Sequence, residues 1–278
     1  MMNTCFKNVT LFTLVLISLI SCSKEETTES APADASIAKY LFDATKDEVD
    51  QQLNLQGSLN GFTDNHESGP RGGCATITIT PQGISFPKTV TIVFPQNCTT
   101  FAGASIEGTV VITISGKIRE IGTVATFSLA DFHYKNYKLT GNYAITFLGN
   151  FSHSTSITNG EIVTPLNEVI TYEATNTSTH TEGTSTTFKT NPLTFLQDDV
   201  YSVSSVSTGI NSKGNAYTLN TTSPLIYKVA CQWLTAGIIS ITEDSKPKIT
   251  ATLDYGQGTC DNKAILKVNN ISTEIQLP

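Results

Sequence analysis

The run Leu253-Asp-Tyr-Gly-Gln-Gly-Thr-Cys-Asp-Asn262 gathers side chains suited to holding a cation. Asp254, Asp261 and Asn262 bring carboxylate and amide oxygens around two flexible glycines, the donor set that calcium takes. The spacing follows no defined calcium pattern, and the D-x-[DN]-x-[DN]-G run of an EF-hand is absent, so a glycine-permitted turn leading to Cys260 is favoured over calcium. Asp64-Asn65-His66-Glu67 could likewise ligate a metal but reads better as a solvated loop cluster. The other histidines, His133, His153 and His180, are scattered without paired spacing. His133 lies in ADFHYKNY, whose aromatic residues could stack a sugar ring but more simply line a sheet. The chain has no G-x-S-x-G, P-loop or G-x-G-x-x-G. Catalytic residues are therefore not assigned. A glycosidase needs only two carboxylates and leaves no motif, so Glu107, Asp131, Glu161, Glu168, Glu173 and Asp254 stay open as candidates.

Cysteine carries more information. Leu19-Ile-Ser-Cys22 closes an apolar run, Leu11 to Ile20, that follows Lys7 and is shorter than the roughly 20 residues a membrane span needs. This pattern resembles a bacterial lipobox: residues 1–21 read as a signal peptide, and Cys22 as the acylated mature N-terminus. Several acyl chains on one residue give lasting anchorage, since each buried CH₂ contributes about 0.8 kcal/mol. Ser23-Lys-Glu-Glu26 looks like the Lys-plus-acidic tag that sends lipoproteins to the cell exterior. Cys5 leaves with the signal, so Cys74, Cys98, Cys231 and Cys260 remain. An even number in an exported chain reads as disulfides, and the absence of C-x-x-C or Cys/His spacing speaks against zinc.

These residues need elements to position them. Residues 22–35 read as a Ser/Thr/Glu/Ala/Pro tether with little to bury. In residues 36–73, helical spacing of Ile37, Leu41, Ala44, Val49 and Leu53 predicts a helix from Ile37 to Leu55, capped by Ser36, with Asp43, Asp47 and Glu48 on its other side. A loop rich in Gly, Pro, Asp and Ser follows. Residues 74–278 read as one β-domain. Val110, Ile112, Ile114 and Ile118 alternate with Thr109, Thr113 and Lys117, broken only by Val111; similar alternation runs from Tyr137 to Phe147 and from Ile249 to Tyr255. Turn chemistry at Ile121-Gly122, Asn150, Asn159-Gly160, Lys213-Gly-Asn215, Asp244 to Pro247 and Asn269-Asn270 separates the strands. The expected class is all-β: an antiparallel β-sandwich or strongly curved meander sheet, with the N-terminal helix covering an edge or end.

Four cysteines allow three pairings. An internal echo favours one of them. CATITITPQGISFPKTVTIVFPQNC and CQWLTAGIISITEDSKPKITATLDYGQGTC both run Cys, strand, Pro-containing turn, Lys-initiated strand, loop, Cys. Each reads as a hairpin stapled at its open end, by Cys74–Cys98 and by Cys231–Cys260.

The net charge of −7 becomes −8 once Lys7 is cleaved away, and an acidic chain repels phosphate backbones, which argues against nucleic-acid partners. FPKTVTI, GKIREIGTVATF, DDVYSV, PLIYKVAC and DYGQGTCDNKA together resemble a group of uncharacterised lipoproteins of the Bacteroidota. In that group the first hairpin ends in D-F-G-x-G-C, whereas this chain has VFPQNC, with Val93, Pro95 and Asn97 at the Asp and Gly places. The resemblance implies a fold class and an address but no activity. The resulting expectation is an outer-membrane lipoprotein, held by its N-terminal lipid and facing the cell exterior. It would act as a non-enzymatic binding or structural module, with a glycan or an envelope protein as its ligand. A carbohydrate-active hydrolase and a periplasmic lipid carrier, with a curved sheet wrapping an apolar ligand, are the alternatives.

Overall fold

Alternating Ile/Val and Thr side chains put the segments after Cys74 into strands, because each can bury one face and solvate the other. The computed structural model describes residues 30–54, 56, 59, 74–100, 103–183, 185–186, 197–269 and 271–277. Its strands are β1 (Thr76–Thr80), β2 (Lys88–Thr99), β3 (Ser105–Ile114), β4 (Val124–Tyr134), β5 (Tyr137–Gly149), β6 (Ser152–Val163) and β7 (Val169–Glu182). They continue with β8 (Val200–Ile210), β9 (Ala216–Lys228), β10 (Ala236–Glu243), β11 (Ile249–Gln257), β12 (Lys263–Val268) and β13 (Ile271–Gln276). Each pairs with the next, giving one 13-stranded antiparallel sheet in meander order, edged by β1 and β13. The chain thus takes the meander form of the two expected. Val110, Ile112 and Ile114 are fully buried, while Val111 points outward at 51 % exposure.

The helix α1 spans Ser30–Asn54 and starts earlier than its periodicity predicts. Residues 30–35, expected within the tether, form its first turns. Pro32 is tolerated there because its missing N–H has no helical partner to lose, and the neighbouring alanines favour the helix. Ser36 is no cap: its Oγ donates to the Pro32 carbonyl from within the helix. Asp34 reaches across to the β8–β9 turn, accepting from the Ser212 amide at 3.1 Å and its hydroxyl at 2.6 Å.

The helix α1 lies against the inner face of the sheet. None of residues 32–53 is exposed, charged ones included. Tyr40 meets Tyr134 of β4, Phe42 meets Tyr143 of β5 and Tyr172 of β7, and the helix packs on β9 and β10 as well. Strands β4 to β10 laid flat would span roughly 29 Å at about 4.8 Å per strand, whereas a helix is only about 10–12 Å across. The sheet must therefore curl around α1. Large sheets seldom stay open and flat, and register shifts in every pairing from β2–β3 to β10–β11 provide the bends.

One of these shifts corrects a turn assignment. Asn159-Gly160 lies inside β6 as a bulge, with Asn159 at φ 52° and the β6–β7 register shifting beside it. A Cβ on Gly160 would stand 2.8 Å from Phe42 Cζ and run into the Tyr172 carbonyl. The glycine marks the place where the helix presses on the sheet.

Candidate functional site

Along α1 two stripes diverge. Ala38, Leu41, Phe42, Thr45, Val49 and Leu53 are at most 2 % exposed and pack solidly. Phe42 stacks on Tyr172 with ring centres 5.0 Å apart, and Tyr143, stacked on Phe127 at 4.4 Å, donates its hydroxyl to the Phe42 carbonyl. The opposite stripe, Lys39, Asp43, Lys46 and Asp47, meets a cavity of about 390 Å³ instead of water. Its far wall is mainly apolar, with Val203 of β8, Leu225 and Tyr227 of β9, Tyr255 of β11, Leu266 of β12 and Ile275 of β13, beside Asn176 and Ser178 of β7. Trp233 and Leu234, in the β9–β10 connection, complete the wall.

That connection is held by covalent and polar ties. Cys231 is bonded to Cys260 in the β11–β12 turn, with Cα atoms 5.8 Å apart. Lys228 Nζ donates to the Gly258 carbonyl at 3.0 Å, and the Gly258 amide donates to the Thr235 carbonyl at 2.7 Å. The second stapled hairpin thereby fixes the rim on which Trp233 sits. The Trp233 indole Nε1–H is itself buried without a hydrogen-bond partner among the described residues.

The helix wall combines ion pairs with Ala33, Ile37, Tyr40 and Ala44. Lys39 Nζ bonds Asp43 at 2.6 Å, while Lys46 Nζ bonds Asp50 at 2.6 Å and Asp47 at 3.0 Å. Burial alone would lower the Lys46 pKa, but Asp50 and Asp47 outweigh it and hold the ammonium above the ordinary lysine range. Burial pushes the Asp47 carboxyl up, as it does Glu48. The pairs make the buried charges tolerable.

A second polar cluster, missed in the sequence, closes the structure near the C-terminal end of α1. Asp199, 2 % exposed, accepts from the Tyr201 hydroxyl at 3.2 Å and pairs with Arg119 at 3.4 Å and His180 Nε2 at 3.1 Å. Arg119 lies 4.2 Å over the Phe151 ring. Burial raises the Asp199 pKa against these partners, and burial lowers that of neighbouring His153 to about 4. Gly183, at φ 97°, faces Asp199 where a Cβ would meet its Cα at 2.7 Å. The cluster ties the β3–β4 and β5–β6 connections to β7 and β8. Its sequence signal was thin: Arg119 is one of two arginines, with Arg71.

The expected site residues fall in varied places. Asp254 accepts from the Gly256 amide and Asp261 from the Lys263 amide, both at 2.9 Å, so each carboxylate serves its own turn. The Asn262 carbonyl accepts from Leu277. No group of three or more His, Cys, Asp or Glu among the described residues is placed to hold a metal. Cys74 and Cys98 are bonded, as are Cys231 and Cys260, in the pairing favoured by the echo. Phe132 and Tyr134 line the inner face, with His133 between them on the other side of the strand. Glu161 and Glu173 share a shallow outer depression with Thr171 and Thr208, whereas Asp131 is exposed and paired with Lys138. Cys22 and the His66 cluster lie outside the described residues. No family model, curated protein or solved structure matches the chain.

Proposed function

We propose that the protein is a lipid-anchored cell-envelope module that binds an apolar or amphiphilic ligand in the cavity between α1 and the curled sheet. The observation that carries this reading is the cavity: about 390 Å³, within the range of small-molecule sites, with a mainly apolar lining that includes the ion pairs of α1. The position of the anchor supports it. Ser30 is eight residues from Cys22, a reach of at most roughly 29 Å, so a ligand drawn from the bilayer would have a short path to the cavity. Among the expected readings this develops the lipid-carrier alternative and keeps the non-enzymatic, membrane-attached module.

Solvent extraction of natively purified protein, followed by mass spectrometry, tests it. The wild type should release a bound apolar molecule, and Ala44→Phe, which adds a ring to the cavity wall, should release much less while melting near the wild-type temperature. Equal yields from both, or none from either, would sink the reading. Protease shaving of intact cells tests the address separately: fragments appearing only after lysis would exclude an outward-facing anchor.

A further inference from the structure

We infer that the cavity selects an amphiphile with a cationic amine head, seated against the Asp43 and Asp47 carboxylates. This rests on the reading of the cavity as a ligand site. The charges on the helix wall are unequally presented. The side chains of Lys39 and Lys46 keep 2 % and 10 % of their surface, whereas Asp43 and Asp47 keep 28 % and 26 %. A molecule entering the cavity therefore meets carboxylate oxygen, with the ammonium groups tucked behind it.

Pairing geometry points the same way. In the cavity lining Lys39 and Lys46 meet two carboxylates, Asp43 and Asp47, and Lys46 is shared with Asp50, which lies outside the cavity beside Arg119. Asp43 also accepts from Asn176 Nδ2 at 3.4 Å. Lys46 makes its shorter bond to Asp50, leaving Asp47 the least neutralised of the three. In a partly enclosed cavity, an incompletely neutralised carboxylate favours a positive head and repels a negative one. The rings of Tyr40, Tyr227 and Trp233 also line this space, and aromatic faces attract cations. The apolar sheet wall opposite takes the aliphatic part of the same molecule.

Trp233 is the chain's single tryptophan, so its emission reports occupancy of the cavity directly. The purified full chain is titrated with dodecylamine, dodecanol and dodecanoate, below their micelle concentrations and at neutral pH. Dodecylamine should bind at least about tenfold more tightly than dodecanol, the scale of a charge-assisted hydrogen bond, and dodecanoate should bind weakest. Asp47→Asn should bring the amine to the level of the alcohol and leave the alcohol unchanged. Equal or tighter binding of dodecanol or dodecanoate by the wild type would overturn the amine preference yet leave an apolar site standing. No response to any of the three would overturn the site and the preference together. The wild-type ranking decides the matter even if Asp47→Asn fails to fold.

Discussion

The two halves of the curled sheet treat the same helix in opposite ways. Strands β4 to β7 close on it with stacked rings and glycines, so that Phe42 is fully buried between Tyr143 and Tyr172, against Gly141 and Gly160. Strands β8, β9 and β11 to β13 leave the cavity between them and the helix, although β9 and β10 also touch the helix. The apolar stripe of α1 faces the packed half and the charged stripe the hollow one. A single amphipathic helix thus divides one β-domain into a closely packed part and a part that keeps a cavity.

The largest effect should come from adding volume. Gly160→Val in the packed half drives a side chain into the Tyr172 backbone and the Phe42 ring, and should cost about 4 kcal/mol in urea unfolding. Ala44→Phe in the hollow half should cost under about 1 kcal/mol, since open space receives the ring. Comparable losses would erase the distinction between the halves.

The disulfides sharpen it. Cys74–Cys98 and Cys231–Cys260 span 24 and 29 residues, so the chain-entropy model assigns about 3.5 kcal/mol to each. Cys74→Ser with Cys98→Ser should lower the melting temperature while Trp233 still responds to ligand. Cys231→Ser with Cys260→Ser should lower it by a similar amount and also abolish that response, because the rim carrying Trp233 is released. Loss of binding in both double variants would show that the cavity depends on overall stability alone.

Acid should act where the halves meet at the end of the helix. Burial holds His153 near pKa 4, so the folded protein resists a proton that the unfolded chain accepts. Stability from this group is complete above about pH 6.5 and falls away as the pH drops toward 4, by about 3 kcal/mol in all. Asp47, Glu48 and Asp199 have raised pKa values and work in the opposite direction, gaining protons sooner when folded. His153→Gln should flatten the decline between pH 6.5 and 4; an unchanged slope would assign the acid response to other groups.

The smallest effect is a difference between truncations. Ile145→Ala in the packed half should cost about 3 kcal/mol, and Leu266→Ala at the cavity about 1 kcal/mol, because a side chain already facing open space loses fewer contacts. Equal costs in thermal or urea melts would mean the cavity wall is as tightly packed as the core.

Much of the strand framework could be read from the chain, since alternation at Val110 to Ile114 depends only on neighbours two residues apart. The bulge at Asn159-Gly160 could not, because the same dipeptide suits a hairpin and a kink, and only Phe42, far away in sequence, distinguishes them. The stripe of Asp43 and Asp47 looked like a solvent face for a similar reason: a polar side chain is patterned alike whether it meets bulk water or an internal space. The cavity draws on residues from Ala33 to Leu277, so no local window contains it. At Asp254 and Asp261 calcium stood beside the favoured turn reading because the oxygens that cap a turn are those that bind calcium.

The order of the chain gives the enclosed helix a further consequence. It is synthesised before every strand that surrounds it, and its contacts with them close over long separations: Phe42 to Tyr143 across 101 residues and Asp34 to Ser212 across 178. An isolated helix draws little stability without a surface to pack on, and distant pairings make folding slow. Until β9 and β10 are available, the helix has no complete shell. Closure of the core is thus set late by topology, with no separate device needed to delay it.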